Sequence, residues 1–246
     1  MNAHGRLPTG NRPLDRLLGG GFARGQLGEI FSQSGPLASI VAMNACAAVA
    51  EAGGRAVYAA VTPDHHYDAM CATPRVSDAG VVAVSSLEEA MAVFDGLTTK
   101  AGLDLIVVGN VALLHTARVR HVEPQRLFEL RARLMKSWLA RALSKAKKLQ
   151  FGMLLLNTEL PRPTVGGIAF RTPMERVIAR FASVRVRVLP EHPTMDPWVV
   201  EQDPASGNFV ERRSPDLYRL EVFGLRMRPV GQCQFAVPPE SADRTD

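Results

Sequence analysis

Two apolar runs, Leu103–Val108, in which Asp104 is the one polar residue, and Phe151–Asn157, set the strongest limit on how this chain can fold. A strand with one wet face alternates apolar and polar residues, whereas an unbroken run belongs to a strand covered on both faces. Between the runs lies Pro124–Leu149, which carries Leu127, Leu130, Leu134 and Trp138 at helical spacing. It is predicted as one long helix with those four residues on its packed stripe. Strand, helix and strand make a crossover unit, and such units are right-handed and build parallel sheets.

The flanking segments extend the alternation. Gln26–Phe31 is a short strand, and Leu37–Ala52, rich in Ala, Val and Met, is a buried helix. Arg55–Val61 is a strand stopped by Thr62-Pro63-Asp64, and Gly80–Val84 is another. Ser86 stands as an N-cap with Glu89 three residues on, the spacing of a capping box. After Phe181 the pattern changes: Val184, Val186 and Val188 alternate with Arg185 and Arg187. Trp198–Val200, Asn208–Glu211 and Tyr218–Phe223 follow as short strands, with Ala205-Ser206-Gly207-Asn208 as a hairpin turn. The expected fold is α/β: a mainly parallel twisted sheet flanked by helices, with antiparallel edge strands toward the C-terminus. Residues 1–237 are expected to form one domain, and the polar, Pro-rich residues 238–246 a flexible tail.

Composition narrows the function classes. Hydrophobic residues make up 46% and charged residues 22%, which suits a soluble globular protein. Cys46, Cys71 and Cys233 are odd in number and widely spaced, so a reduced, cytoplasmic setting is expected, without disulfides or a cysteine-based zinc site. No apolar run approaches a membrane span, and the first six residues lack the apolar stretch of a secretion signal. The net charge of +5 favours polyanion contact only weakly. Asp64-His65-His66-Tyr67-Asp68 invites a metal reading, but adjacent histidines point apart and fit no zinc spacing. No metal and no catalytic thiol at Cys71 are expected.

The opening segment carries a more specific signal. Leu7-Pro8-Thr9-Gly10, Leu14-Asp15, Leu18-Gly19-Gly20-Gly21, Gly25 and Glu29-Ile30 resemble the start of RecA, RadA and KaiC-type ATPase domains, which leads into a phosphate-binding loop. Leu103–Val108 resembles the family's Walker B strand, and Leu154-Leu155-Leu156-Asn157 the strand that ends at its Asn-Gln sensor. Gly166-Gly167 and Phe181–Val186 are similar to the second DNA-binding loop and the strand after it. Tyr218–Val222 and Gln234–Val237 are similar to the closing strands. The resemblance spans residues 7 to 237 and implies a RecA-like core, with no room for the family's N-terminal polymerisation helix or C-terminal domain.

The catalytic parts of that family do not match. A phosphate-binding loop reads G-x-x-x-x-G-K-[ST]: backbone N–H groups cradle phosphates, the Lys neutralises them and the hydroxyl holds Mg²⁺. Here the place reads Ser32, Gln33, Ser34, Gly35, Pro36, Leu37, Ala38, Ser39. Ser32 and Leu37 replace the glycines, Ala38 replaces the Lys, and only Ser39 survives. The Walker B strand ends in Gly109 and Asn110 instead of an Asp. Pro63 stands at the position of the water-orienting glutamate, beside Asp64, and Thr158 at that of the sensor Gln. The lysines that reach a neighbour's ATP are replaced around Gly224-Leu225-Arg226, with Arg226 and Arg228 keeping charge. Phosphoryl transfer depends on these positioned charges, so the expectation is a pseudo-ATPase without cofactor.

Among RecA relatives with damaged nucleotide sites, the chain resembles ImuA-type proteins in length, opening segment and degenerate loop. That resemblance implies an accessory protein of SOS translesion mutagenesis that contacts a RecA-family recombinase and an ImuB-like, polymerase-related protein. A phage or plasmid recombination mediator, a nucleotide-binding ATPase with a rebuilt site, and a SulA-like cell-division inhibitor stay open as alternatives, as does homo-oligomerisation. Two surfaces are expected to make contacts. The loop from Glu159 to Arg171 holds Arg162, Gly166, Gly167, Phe170 and Arg171, a set suited to gripping phosphate and stacking on a base. The segment from Arg118 to Lys148 carries ten Lys or Arg against two Glu. Arg126, Arg133, Lys136, Arg141, Lys145, Lys147 and Lys148 are its candidate basic face toward phosphate or an acidic partner.

Overall fold

The doubly covered strands form the middle of an eight-stranded sheet in the computed structural model. The structure describes residues 5–33, 35–61, 80–99, 102–114, 123–165, 167–190, 198–202, 209–213, 216–224 and 228–237. The chain opens with β1 (Arg6–Leu7), α1 (Arg12–Leu17) and β2 (Phe22–Ala23), then β3 (Leu27–Ser32) and α2 (Gly35–Glu51). Next come β4 (Ala56–Val61), β5 (Gly80–Val84), α3 (Leu87–Leu97), β6 (Leu105–Val108) and α4 (Pro124–Leu149). The hairpin strands β8 (Leu160–Thr164) and β9 (Gly167–Arg171) follow β7 (Gly152–Thr158), and α5 (Glu175–Ile178) leads to β10 (Ala182–Pro190). The last strands are β11 (Trp198–Gln202), β12 (Phe209–Arg213), β13 (Asp216–Phe223) and β14 (Pro229–Val237).

The sheet order is β14-β13-β10-β3-β7-β6-β4-β5. The six strands from β10 to β5 run parallel, and β13 and β14 close the other edge antiparallel. The alternation of each central strand divides the core in two. Leu105, Val107, Leu154 and Leu156 face α1 and α2, while Ile106, Val108, Met153 and Leu155 face α3 and α4. Both faces are apolar, as the unbroken runs require.

Three local expectations are corrected or extended. On α4 the buried stripe is Met135, Trp138, Leu139, Ala142 and Ala146. Leu130 is exposed and Leu127 half-buried, and Leu134 is half-buried at the margin of the packed contact. Trp138 instead meets Phe94 edge-on at 5.7 Å. At α3, Ser86 accepts from the Glu89 N–H at 3.2 Å, as a cap should. The Glu89 carboxylate also takes the N–H and hydroxyl of Ser85, both at 2.7 Å, and is acted on by the backbone N–H of the N-cap Ser86. Those bonds hold the carboxyl below its ordinary pKa. The third correction, at Glu159–Arg171, belongs to the site below.

The glycine-rich opening segment is a cap on the N-terminal end of the sheet. Asn11 caps α1 by accepting from Leu14 N–H at 2.7 Å, and Asp15 accepts from Thr9 N–H at 2.9 Å. Gly19, Gly20 and Gly21 all have positive φ and turn the chain back so that Phe22 pairs with Leu7. A Cβ on Gly21 would run into the Leu7 carbonyl, so this position needs glycine for both space and φ.

Among the described residues no helix is long and apolar enough to cross a membrane. Ser34, residues 62–79 with Pro63, Asp64-His65-His66-Tyr67-Asp68 and Cys71, Arg118, Arg120, Gly166, the turn Ala205-Ser206-Gly207-Asn208, Leu225, Arg226 and the tail 238–246 lie outside the described residues. β11 and β12 pair antiparallel, with Gln202 opposite Phe209.

Candidate functional site

In parallel α/β sheets the functional crevice lies at the carboxyl ends of the strands. Here β3 ends at Ser32 beside Thr158 of β7, and the Glu159 N–H donates to the Ser32 carbonyl at 2.8 Å. β3 is followed by α2 from Gly35, the strand-then-helix order that also frames a phosphate loop. Its side chains serve packing. Ala38 and Ser39 are buried in the first turns of α2, Leu37 packs against the core, and Gln33 is exposed. The Tyr58 hydroxyl, on a fully buried side chain of β4, donates to Ser39 Oγ at 3.2 Å. The surviving hydroxyl thus faces into the sheet layer.

The end of β6 is closed in the same way. Gly109 N–H donates to the Ala59 carbonyl at 2.6 Å, and a Cβ at this position would sit 3.0 Å from that oxygen. Asn110, buried, donates from Nδ2 to Thr158 Oγ1 at 2.5 Å and accepts from Ala112 N–H at 3.1 Å. The segments that follow β6 and end β7 therefore meet through these two side chains. A neutral amide and a neutral hydroxyl leave no formal charge there for a metal. Among the described residues no three His, Cys, Asp or Glu side chains are placed to hold a metal ion.

Behind this end of the sheet lies a buried ionic network that pattern reading missed. Arg185 of β10 reaches Glu29 of β3, Nε to Oε2 2.5 Å, with side-chain exposures of 3% and 0%. Asn157 Nδ2 donates to Glu29 Oε1 at 2.9 Å and to the Pro173 carbonyl at 3.0 Å. Arg185 also donates to Thr172 Oγ1 at 3.2 Å and lies 3.6 Å from Glu175. Its guanidinium stacks over the Phe31 ring at 4.8 Å. Burial raises the Glu29 carboxyl above its ordinary pKa, and the Arg185 cation and the Asn157 bond oppose that rise. The available signal was a carboxylate inside an otherwise apolar strand, which had to be paired if buried.

Two residues on, Arg187 donates from Nε and NH2 to Glu159 Oε2 at 3.1 and 3.0 Å, and its NH1 lies 3.7 Å from Glu221. Arg185 and Arg187 share one face of β10. Together they hold both ends of the segment from Glu159 to Thr172.

That segment, expected as a loop, is the hairpin β8–β9. Leu160 pairs with Arg171, Pro161 with Phe170, Arg162 with Ala169, Pro163 with Ile168 and Thr164 with Gly167. Two prolines and two glycines read as loop chemistry, but a two-strand ribbon tolerates proline on an edge. Arg162 and Arg171 fall on one face, and both are exposed; Pro161, Ile168 and Phe170 fall on the other. The structure thus joins the two expected cations and sets Phe170 apart from them.

The basic segment is less uniform than its composition. Arg126, Arg133, Lys136, Arg141, Lys147 and Lys148 are exposed on α4, away from the buried stripe. Lys145 is not part of that open face. It bonds Asp95 at 2.7 Å and Thr98 at 3.3 Å, because its position rotates toward α3. Arg131 donates to the carbonyls of Val111 and Leu114 and ties the turn after β6 to the helix.

Residues 3–196 match the family model described as the RecA N-terminal domain. The chain is similar to Protein RecA of Treponema pallidum, 27% identical over 74% of this chain and 46% of the relative. It is similar to Protein RecA of Picosynechococcus, 34% identical over 44% of this chain and 31% of the relative. Against Protein RecA of Levilactobacillus brevis it is 29% identical over 74% of this chain and 49% of the relative. The matches thus span less than half the length of these curated relatives.

Proposed function

Because this chain belongs to the RecA family, we propose that it is a non-catalytic accessory protein of DNA repair or recombination, one that binds partners on a RecA-like core and does not hydrolyse ATP. One observation carries this reading: Asn110, of the Gly109-Asn110 pair that ends the Walker B-like strand, and Thr158, at the sensor position, are bonded to each other at 2.5 Å. Ala38 stands in place of the lysine and Ser39 is bonded by Tyr58, so at these described positions no cation or metal ligand is placed for a triphosphate. Phosphoryl transfer owes its rate to such groups.

The finer reading is an ImuA-type scaffold of SOS mutagenesis, which would join a RecA-family recombinase to an ImuB-like partner in the cytoplasm. The exposed pair Arg162 and Arg171 supports DNA contact as a second activity, since two cations on one face of a hairpin suit adjacent phosphates. A titration with fluorescent ATP, with and without Mg²⁺, tests the central claim. No saturable binding is expected; micromolar binding that strengthens with Mg²⁺ would overturn it.

A further inference from the structure

The hairpin has one edge that its own sequence closes and one that it leaves open. In an antiparallel ladder, pairs that exchange two hydrogen bonds alternate with pairs whose N–H and C=O point away from the partner strand. Proline has no N–H, so Pro161 and Pro163, opposite Phe170 and Ile168, occupy the non-bonded pairs. The bonded pairs are then Leu160 with Arg171, Arg162 with Ala169 and Thr164 with Gly167. Ile168 and Phe170 therefore direct their own N–H and C=O outward from β9. Along the outer edge of β8 the corresponding positions are prolines, which offer carbonyls and no donor and so block strand addition.

The two faces complete the pattern. Ile168 is 70% and Phe170 42% exposed, on the face they share with Pro161. Ala169, Arg162 and Arg171 share the other face, and among the described residues no carboxylate pairs with either arginine. Nothing among the described residues pairs with the outer edge of β9.

We propose that the outer edge of β9 takes up an extended segment of a partner protein as a third strand, and that this segment alternates apolar and acidic side chains. Every second side chain of such a strand lies beside Ile168 and Phe170. The intervening ones lie on the face of Arg162 and Arg171, where carboxylates complement the guanidinium groups. Main-chain bonds supply the affinity, and the two unlike faces set the register. This rests on the reading of the chain as a partner-binding scaffold and adds the chemistry of the partner.

The test uses the full chain and a short fluorescein-labelled peptide of alternating valine and glutamate, with a peptide of the same composition in two blocks as control. Saturable polarisation is expected for the alternating peptide alone. Ile168→Pro removes an outward N–H that the hairpin does not use, so the hairpin persists while binding weakens about tenfold or more. Amide exchange followed by NMR gives a second readout that needs no variant. Ile168 and Phe170 amides exchange fast in the free chain and slow when peptide binds, while Ala169 and Arg171 amides are already slow. Absence of peptide binding, equal binding of the block peptide, or full binding by Ile168→Pro overturns the proposal. So does protection of Ile168 and Phe170 by a single-stranded oligonucleotide and not by peptide, which would make the hairpin a nucleic-acid element. ATP binding in the separate titration would sink the accessory reading and leave the peptide result standing on its own.

Discussion

Asn110 and Thr158 stand at the ends of neighbouring parallel strands and share a hydrogen bond of 2.5 Å. The bond ties the segment after β6 to the end of β7. Asn110→Ala is expected to cost about 1 kcal/mol, because the half-buried Thr158 hydroxyl and Ala112 N–H lose their partner. Urea unfolding measures the loss, and fluorescent-ATP binding should stay absent. Recovery of ATP binding in this variant would mean that the bond blocks a competent site.

Arg185→Met is expected to destabilise the fold by about 3–5 kcal/mol, since it leaves Glu29 buried without its cation. The deficit should depend on pH. Without Arg185, burial acts on Glu29 with less opposition and lifts its folded-state pKa further above the unfolded one. A carboxyl with a raised folded value favours the folded state most below its unfolded value, and that advantage is lost as pH rises through the folded one. Urea midpoints of the variant against the parent should therefore differ least near pH 4 and most near about pH 7, around the ordinary carboxylate range. An equal difference at both would mean that Glu29 is not left charged.

Trp138→Ala is expected to cost about 3–5 kcal/mol, the range for deleting a large buried ring. Leu130→Ala on the same helix should fall within about 0.5 kcal/mol, because Leu130 is exposed. Thermal or urea melts distinguish the two. Equal costs would restore the stripe that helical spacing alone suggests.

Reversing charge at Arg162 and Arg171 together tests the DNA reading. If each meets a phosphate of single-stranded DNA, the slope of log affinity against log salt should become shallower by about 1–2. Binding at several salt concentrations measures it. An unchanged slope would remove the hairpin from the DNA contact.

The parts of the fold that were legible share a cause: they are local. Pro124 at the first helical position and the length of the periodic segment placed α4 from end to end. The unbroken runs placed β6 and β7 because apolar residues on both faces allow only a covered strand. The network of Glu29 and Arg185 is not local. Its members lie 156 residues apart, and each alone reads as an ordinary charged residue in a strand. The hairpin was hidden by its prolines and glycines, whose turn propensity outweighed the Ile168-Ala169-Phe170 alternation. Stripe and basic face on α4 were blurred for a third reason: spacing gives the angular position of a residue but not how far along the helix its neighbours extend.

The two arginines of β10 also have a mechanical meaning. Arg187 is fastened to the start of the hairpin and Arg185 to the residues just after it, and Arg185 is joined through Glu29 to the strand that runs into α2. A load at the hairpin tip is borne by that strand and not absorbed in a slack hinge. An outer contact on the hairpin is thereby tied to the strand that leads into α2.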